Sequence, residues 1–241
     1  MTPTPGDGSA RRTELAANLD RVRSRISSAC RGVGRDPAEV TLTVVTKFFP
    51  ASDVRLLAGL GVSDIGENRH QEAEAKAAEC ADLGLHWHFI GNLQSNKSAA
   101  VARYSDVVES VDRPKLVAGL SRGAHERGAC VDCLVQVSLD CGGPGSARSG
   151  APAESVAELA ARVSGAESLR LRGVMAVAPP GEDPLKAFDR LALAAESVRA
   201  VDPTATWVSA GMSGDLEAAI KTGATHVRIG SAVLGPRPLL G

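Results

Sequence analysis

Short apolar runs with strand character recur eight times along the chain, and a stretch with helical periodicity separates each from the next. The runs cover residues 41–47, 63–68, 86–91, 106–110, 131–139, 169–177, 205–208 and 225–229. Between them, helices are predicted from about Pro50 to Gly59, Gln71 to Leu83, Ser95 to Arg103, Arg113 to Arg127, Glu154 to Val163, Asp183 to Val198 and Leu216 to Lys221. Ahead of the first strand, Leu15, Leu19, Val22 and Ile26 form one apolar stripe on a helix from about Gly8 to Gly34. Strands that alternate with helices form parallel sheets, because a crossover helix returns the chain to the same end. Eight such units in 241 residues predict a single (β/α)₈ TIM barrel, one domain over residues 1–241. An open doubly wound sheet competes with this, but no G-x-G-x-x-G follows the first strand.

Composition narrows the classes. Aromatic residues make up only 3% and hydrophobic residues 44%, so Ala, Val, Leu and Ile must build the core. A formal net charge of −1 gives no basic excess for nucleic acid or an anionic membrane. No apolar stretch reaches membrane-spanning length. Residues 1–8 lack the basic-then-apolar order of a signal peptide and read as a frayed tail. Five cysteines in such a chain are expected as reduced thiols in the cytoplasm. The lone Cys130-Val-Asp-Cys133 has no second pair with zinc-ligand spacing, and no metal is expected.

The chemistry concentrates at strand ends. Thr41-Leu-Thr-Val-Val-Thr-Lys47 delivers one amine to the tip of the first strand. Burial against apolar walls would disfavour its charged form, and a neutral amine attacks aldehydes. The loops after strands seven and eight of a barrel often hold phosphate. Here they contain Ser209-Ala-Gly211-Met212-Ser213 and Gly230-Ser231, whose small residues let backbone N–H groups come close. Ser209, Ser213 and Ser231 can add hydroxyl donors. An amine facing two phosphate-sized cradles is what pyridoxal 5′-phosphate (PLP) requires. Arg228 shares a strand face with Gly230; turned inward it would meet the pyridine nitrogen, although pairing with a nearby acid is equally compatible. Asn68 can bond a cofactor edge, and Glu67 can pair with a rim cation. His88 and Trp87 read as barrel packing or as a wall beside the cofactor. Ser95 is a candidate helix cap, and the Gly-rich stretch 141–150 is expected at the catalytic-side rim.

With these residues in view, the chain resembles the YggS/PROSC family of PLP-binding proteins, also called PLP homeostasis proteins. The resemblance rests on Thr43-Val-Val-Thr-Lys47, Ile65-Gly-Glu-Asn68, the segment Trp87 to Lys97, Leu171-Arg-Gly-Val-Met-Ala176, Ser209-Ala-Gly-Met-Ser213 and Val227-Arg-Ile-Gly-Ser231. It covers nearly the whole length. It implies a barrel like the N-terminal half of alanine racemase, with Lys47 holding PLP as an internal aldimine. It further implies Ser209, Gly211, Met212, Gly230 and Ser231 at the phosphate, Arg228 at the pyridine nitrogen and Asn68 as a polar neighbour. Members are monomeric or weakly associated, cytoplasmic, and thought to store PLP or hand it to apo PLP-dependent enzymes. Two departures stand out: Ser138 where the family often has Asn, and Arg148-Ser-Gly150 where Lys-x-Gly is common.

A PLP enzyme acting on amino acids, such as a racemase or lyase, is the alternative. A racemase needs a second base, supplied in alanine racemase by a tyrosine from another domain. The chain stops at Gly241 with no room for that domain, and Tyr104 is its one tyrosine, placed after a helix. Little or no turnover is therefore expected. A barrel enzyme for a phosphorylated sugar, with Lys47 as Schiff-base former, is a third reading.

Overall fold

The computed structural model describes residues 7–140 and 149–236. Among these residues, eight parallel strands close into a barrel in sequential order, with β1 paired to β8. The strands are β1 (Thr41–Val45), β2 (Asp64–Glu67), β3 (His86–Phe89), β4 (Val107–Val111), β5 (Val131–Gln136), β6 (Leu169–Met175), β7 (Trp207–Ser209) and β8 (His226–Ile229). The helices are α1 (Asp7–Gly32), α2 (Ala51–Ala58), α3 (His70–Glu79), α4 (Ser98–Ala102), α5 (Val117–Arg127), α6 (Val156–Ser164), α7 (Pro184–Val201), α8 (Leu216–Lys221) and α9 (Ser231–Leu234).

Local chemistry sets several boundaries. Asp183 caps α7 by accepting from the Leu185 N–H at 3.0 Å, and Pro184 occupies the first helical position. α1 already begins at Asp7, so Asp7 and Gly8 belong to a helix and not to the tail expected over residues 1–8; residues 1–6 lie outside the described residues. Ser95 is not a side-chain cap. It opens a 3₁₀ turn, and its carbonyl accepts from Ser98 Oγ at 2.8 Å. Of the Gly-rich stretch 141–150, residues 141–148, including Arg148, also lie outside the described residues.

Outward-facing strand residues pack under the helices. Val44, Ile65, Val227 and Ile229 meet Leu15, Leu19 and Val22 of α1, and Val108, Val135 and Val174 meet Leu120, Leu159 and Phe188. The inward face differs from the branched aliphatic filling common in such barrels. Thr43, His88, Glu109, Ser209, His226 and Arg228 point inside and are almost fully buried. At the N-terminal end of the barrel, Asp132 pairs with Arg170 (2.9 Å) and Arg172 (3.2 Å). The Arg172 guanidinium lies 4.4 Å over the Trp207 ring, which in turn packs on His226.

Candidate functional site

The C-terminal ends of the strands surround a cavity of about 410 Å³. Lys47, Asn68, Met212, Arg228, Gly230 and Ser231 all line it. Val45, Ile90 and Met175 supply apolar walls, and Phe48, Gln136 and Ser213 also line it. The structure thus gathers onto one surface residues from opposite ends of the chain, from Val45 to Gly235.

Lys47 lies two residues beyond the end of β1 and is half-buried, less enclosed than its apolar strand predicts. Its neighbours on both sides are clamped. Thr46 Oγ1 donates to Glu67 Oε1 at 2.5 Å, and the Thr46 carbonyl accepts from Lys76 Nζ at 2.8 Å. The Phe48 N–H donates to Glu72 Oε1 at 2.6 Å. Phe48 adopts φ 72°, a left-handed conformation that costs a bulky residue on the order of 1–3 kcal/mol. Such a conformation persists only where its surroundings impose it, and here the Arg69 guanidinium also covers the Phe48 ring at 5.1 Å. Lys76 bridges Glu67 (2.7 Å) and Glu72 (2.6 Å). Glu67 therefore finds its cation in a buried helix lysine and not at the rim. Burial pushes its carboxyl up from the ordinary value, with Lys76 and Thr46 opposing.

Asn68 follows β2 and is fixed by a close backbone approach. A Cβ on Gly91 would lie 2.0 Å from the Asn68 carbonyl oxygen, so only glycine lets the two loops touch.

The cradle comes from β7 and β8. Gly211 has φ +91°, and a Cβ there would meet the Ala219 Cβ at 2.7 Å. This glycine turns the chain over α8 and does not line the cavity. The Met212 N–H is held by Asp215 Oδ1 at 2.6 Å, which fixes the following residues. Ser213 and Ser231 face one another, Ser231 Oγ donating to Ser213 Oγ at 3.4 Å. Gly230 accepts from the Val233 and Leu234 N–H groups, so the amides of Ser231 and Ala232 form the first turn of α9, where no intrahelical acceptor exists.

Ser209 lies deeper than Ser213 and Ser231. It is fully buried beneath the cavity, and its hydroxyl is committed: it accepts from Arg228 Nη1 at 2.7 Å and donates to Glu109 Oε2 at 2.6 Å. It has no proton left to offer an anion. Arg228 does turn inward, is 4% exposed, and is fixed by a second bond from Nη2 to the Ala176 carbonyl at 2.8 Å. It lines the cavity and also lies 3.7 Å from the carboxylate of Glu109, so the pairing with a nearby acid is present. Burial draws Arg228 down from its ordinary value, and Glu109 opposes that. His88 sits one layer below the cavity, Trp87 packs outward under the helices, and Tyr104 stacks on His70 at 5.8 Å away from the mouth.

A closed barrel with a lysine at the first strand's mouth and a Gly/Ser cradle after the last two strands defines the alanine racemase N-terminal type of domain. Residues 13–238 match the family described as alanine racemase, N-terminal domain. The chain belongs to the pyridoxal phosphate homeostasis proteins within it: it is 42% identical over 245 residues to that protein of Mycobacterium tuberculosis, covering 95% of each chain. It is 37% identical over 230 residues to the pyridoxal phosphate homeostasis protein of Escherichia coli, covering 93% of this chain and 97% of that one. Among solved structures, PipY of Synechococcus elongatus with PLP bound superposes with a TM-score of 0.79 at 32% identity, covering 92% of this chain and all of PipY.

Proposed function

We propose that this protein binds PLP at the C-terminal mouth of the barrel and serves PLP homeostasis by holding and supplying the cofactor. The observation that carries the reading is the convergence of Lys47, Arg228 and the Ser213/Ser231 cradle on one cavity with apolar walls. Its size lies within the range of roughly 300–1,000 Å³ usual for cofactor sites.

The donor set fits this group. PLP supplies an aldehyde that condenses with a primary amine, a ring nitrogen that accepts a hydrogen bond, and a phosphate. Lys47 is the amine at the mouth. Arg228 presents a guanidinium that donates without releasing a proton, so it suits an unprotonated ring nitrogen. Ser213, Ser231 and the first-turn amides of α9 offer hydroxyl and N–H donors to the phosphate, with Gly230 admitting close approach. Asn68 adds a polar edge, and Val45, Ile90 and Met175 give the ring apolar faces. Met212 and Gly211 build the turn, and Ser209 acts from below through Arg228.

Hand-over to apo PLP-dependent enzymes is supported by the open rim. Met212 is 41% exposed and Ser231 is exposed, so a bound group leaves without the barrel opening. This reading places the protein in the cytoplasm as a one-domain monomer; among the described residues no helix is long and apolar enough to cross a membrane. The test is borohydride reduction of the PLP-loaded protein followed by peptide mapping. The expected result is one adduct on Lys47, absent in Lys47→Ala, together with PLP transfer to an apo enzyme. An adduct elsewhere, or none, overturns the site, and failure of transfer overturns the supply role.

A further inference from the structure

The bonds beneath Arg228 continue down the barrel axis. Glu109 Oε2 accepts from Ser209, and Oε1 lies 2.8 Å from His88 Nδ1. His88 Nε2 reaches Asp64 Oδ1 at 3.1 Å. Four buried or half-buried groups therefore alternate in sign along the interior: Asp64, His88, Glu109 and Arg228. The groups facing His88 are Asp64 of β2 and Glu109 of β4 on the adjacent strands and, across the barrel interior, Asp132 of β5 and His226 of β8 at 6.4 Å between rings. Burial draws His88 down, but Asp64 and Glu109 outweigh it and raise the imidazole to about 9. Burial works against the Glu109 charge, yet His88, Arg228 and Ser209 hold that carboxyl at about 2. Burial keeps His226 low, at about 4, so at neutral pH it adds no charge.

We propose that Glu109 is a positioning residue for the cofactor ring, aiming Arg228 at the pyridine nitrogen through Ser209 and balancing the buried guanidinium charge. The inference rests on the PLP reading and adds to it a residue that never touches the cofactor. Without the Glu109 charge, Arg228 loses its nearest anion, only the Ala176 carbonyl and the more distant Asp215 charge still act on it, and the guanidinium is freer to shift toward the open mouth. The bond lost is then the one to the ring nitrogen.

The experiment compares two ligands on the full-length protein: PLP, and its analogue with the ring nitrogen replaced by C–H, which cannot accept from Arg228. Glu109→Gln is expected to raise the PLP dissociation constant about tenfold, the scale of one charge-assisted hydrogen bond, and to change that of the analogue less than about twofold. Ser209→Ala removes one buried hydroxyl, is expected to show the same ligand-dependent loss, and decides the matter if Glu109→Gln does not fold. Equal losses for both ligands, or no loss for PLP, overturn the proposal. Wild-type protein that yields no borohydride adduct on Lys47 removes the PLP reading and this inference together. A wild-type adduct on Lys47 with unaffected variants removes this inference alone.

Discussion

The Nζ of Lys76 lies 2.8 Å from the carbonyl oxygen of Thr46, the peptide that leads directly into Lys47. A buried helix lysine thus helps set the backbone that presents the mouth lysine. It also bridges Glu67 and Glu72, which hold Thr46 and Phe48. Removing one partner of a buried ion pair strands the other, at a cost of about 3–5 kcal/mol. Lys76→Met is expected to lower stability by about that amount in urea unfolding and to slow borohydride trapping at Lys47. Adding Glu67→Gln to it should recover part of the stability, because one stranded charge is gone.

Substitutions in the Ser213/Ser231 cradle should separate phosphate binding from ring binding. The double variant Ser213→Ala/Ser231→Ala removes two hydroxyls that meet at 3.4 Å and leaves Lys47 and Arg228 untouched. PLP affinity should fall about a hundredfold or more, at roughly 1.5–3 kcal/mol for each of two hydrogen bonds to a charged group. Pyridoxal, which has no phosphate, should bind as it does to wild type. Titration of both ligands checks this.

Stability should peak near pH 6.5. The folded His88 is raised from 6.5 to about 9, so its contribution is complete below 6.5 and fades as pH rises toward 9. The folded His226 is lowered from 6.5 to about 4, so the unfolded chain takes up a proton first and stability falls as pH drops from 6.5 toward 4. Glu109 and Asp64, held at about 2 against ordinary values of 4.5 and 3.8, add a second loss between those values and pH 2. Thermal midpoints across pH 3–10 in the apo protein check the shape. In His88→Gln the alkaline decline assigned to His88 should disappear.

Gly91 is the point where the β2 and β3 loops touch. Gly91→Ala places a methyl 2.0 Å from the Asn68 carbonyl oxygen, and backbone must move to admit it. Overpacking of this kind costs about 1–3 kcal/mol. The variant should unfold at lower urea and bind PLP more weakly, since Asn68 is displaced. Gly84→Ala offers the comparison, because its Cβ would meet nothing within 4 Å and its penalty is only the left-handed backbone, φ 60°.

The barrel was legible because buried parallel strands leave uninterrupted apolar runs, and because those runs alternate with helical stripes. Strand ends were less so. Leu139 and Val177 continue the apolar pattern beyond β5 and β6 after the chain has left the strands. Lys47, Arg228, Gly230 and Ser231 could be placed from strand period and topology alone. Ser209 could not, since its role depends on Glu109, a hundred residues away in sequence. Glu109 itself leaves a signal in the sequence: one carboxylate inside Val107-Val-Glu-Ser-Val111 is out of character for a strand buried along its length. Lys76 left less, because a lysine in an Ala/Glu-rich helix looks like solvent-facing charge.

The alternation of Asp64, His88, Glu109 and Arg228 along the interior constrains how this chain can drift. Each ion is stabilised by neighbours of opposite sign, so any single replacement strands a charge away from water, while replacing a whole pair with well-packed apolar groups need not. Substitutions on the axis should therefore accumulate in matched sets, and homologues should carry either the complete alternating series or a greasy interior, with few intermediates between them.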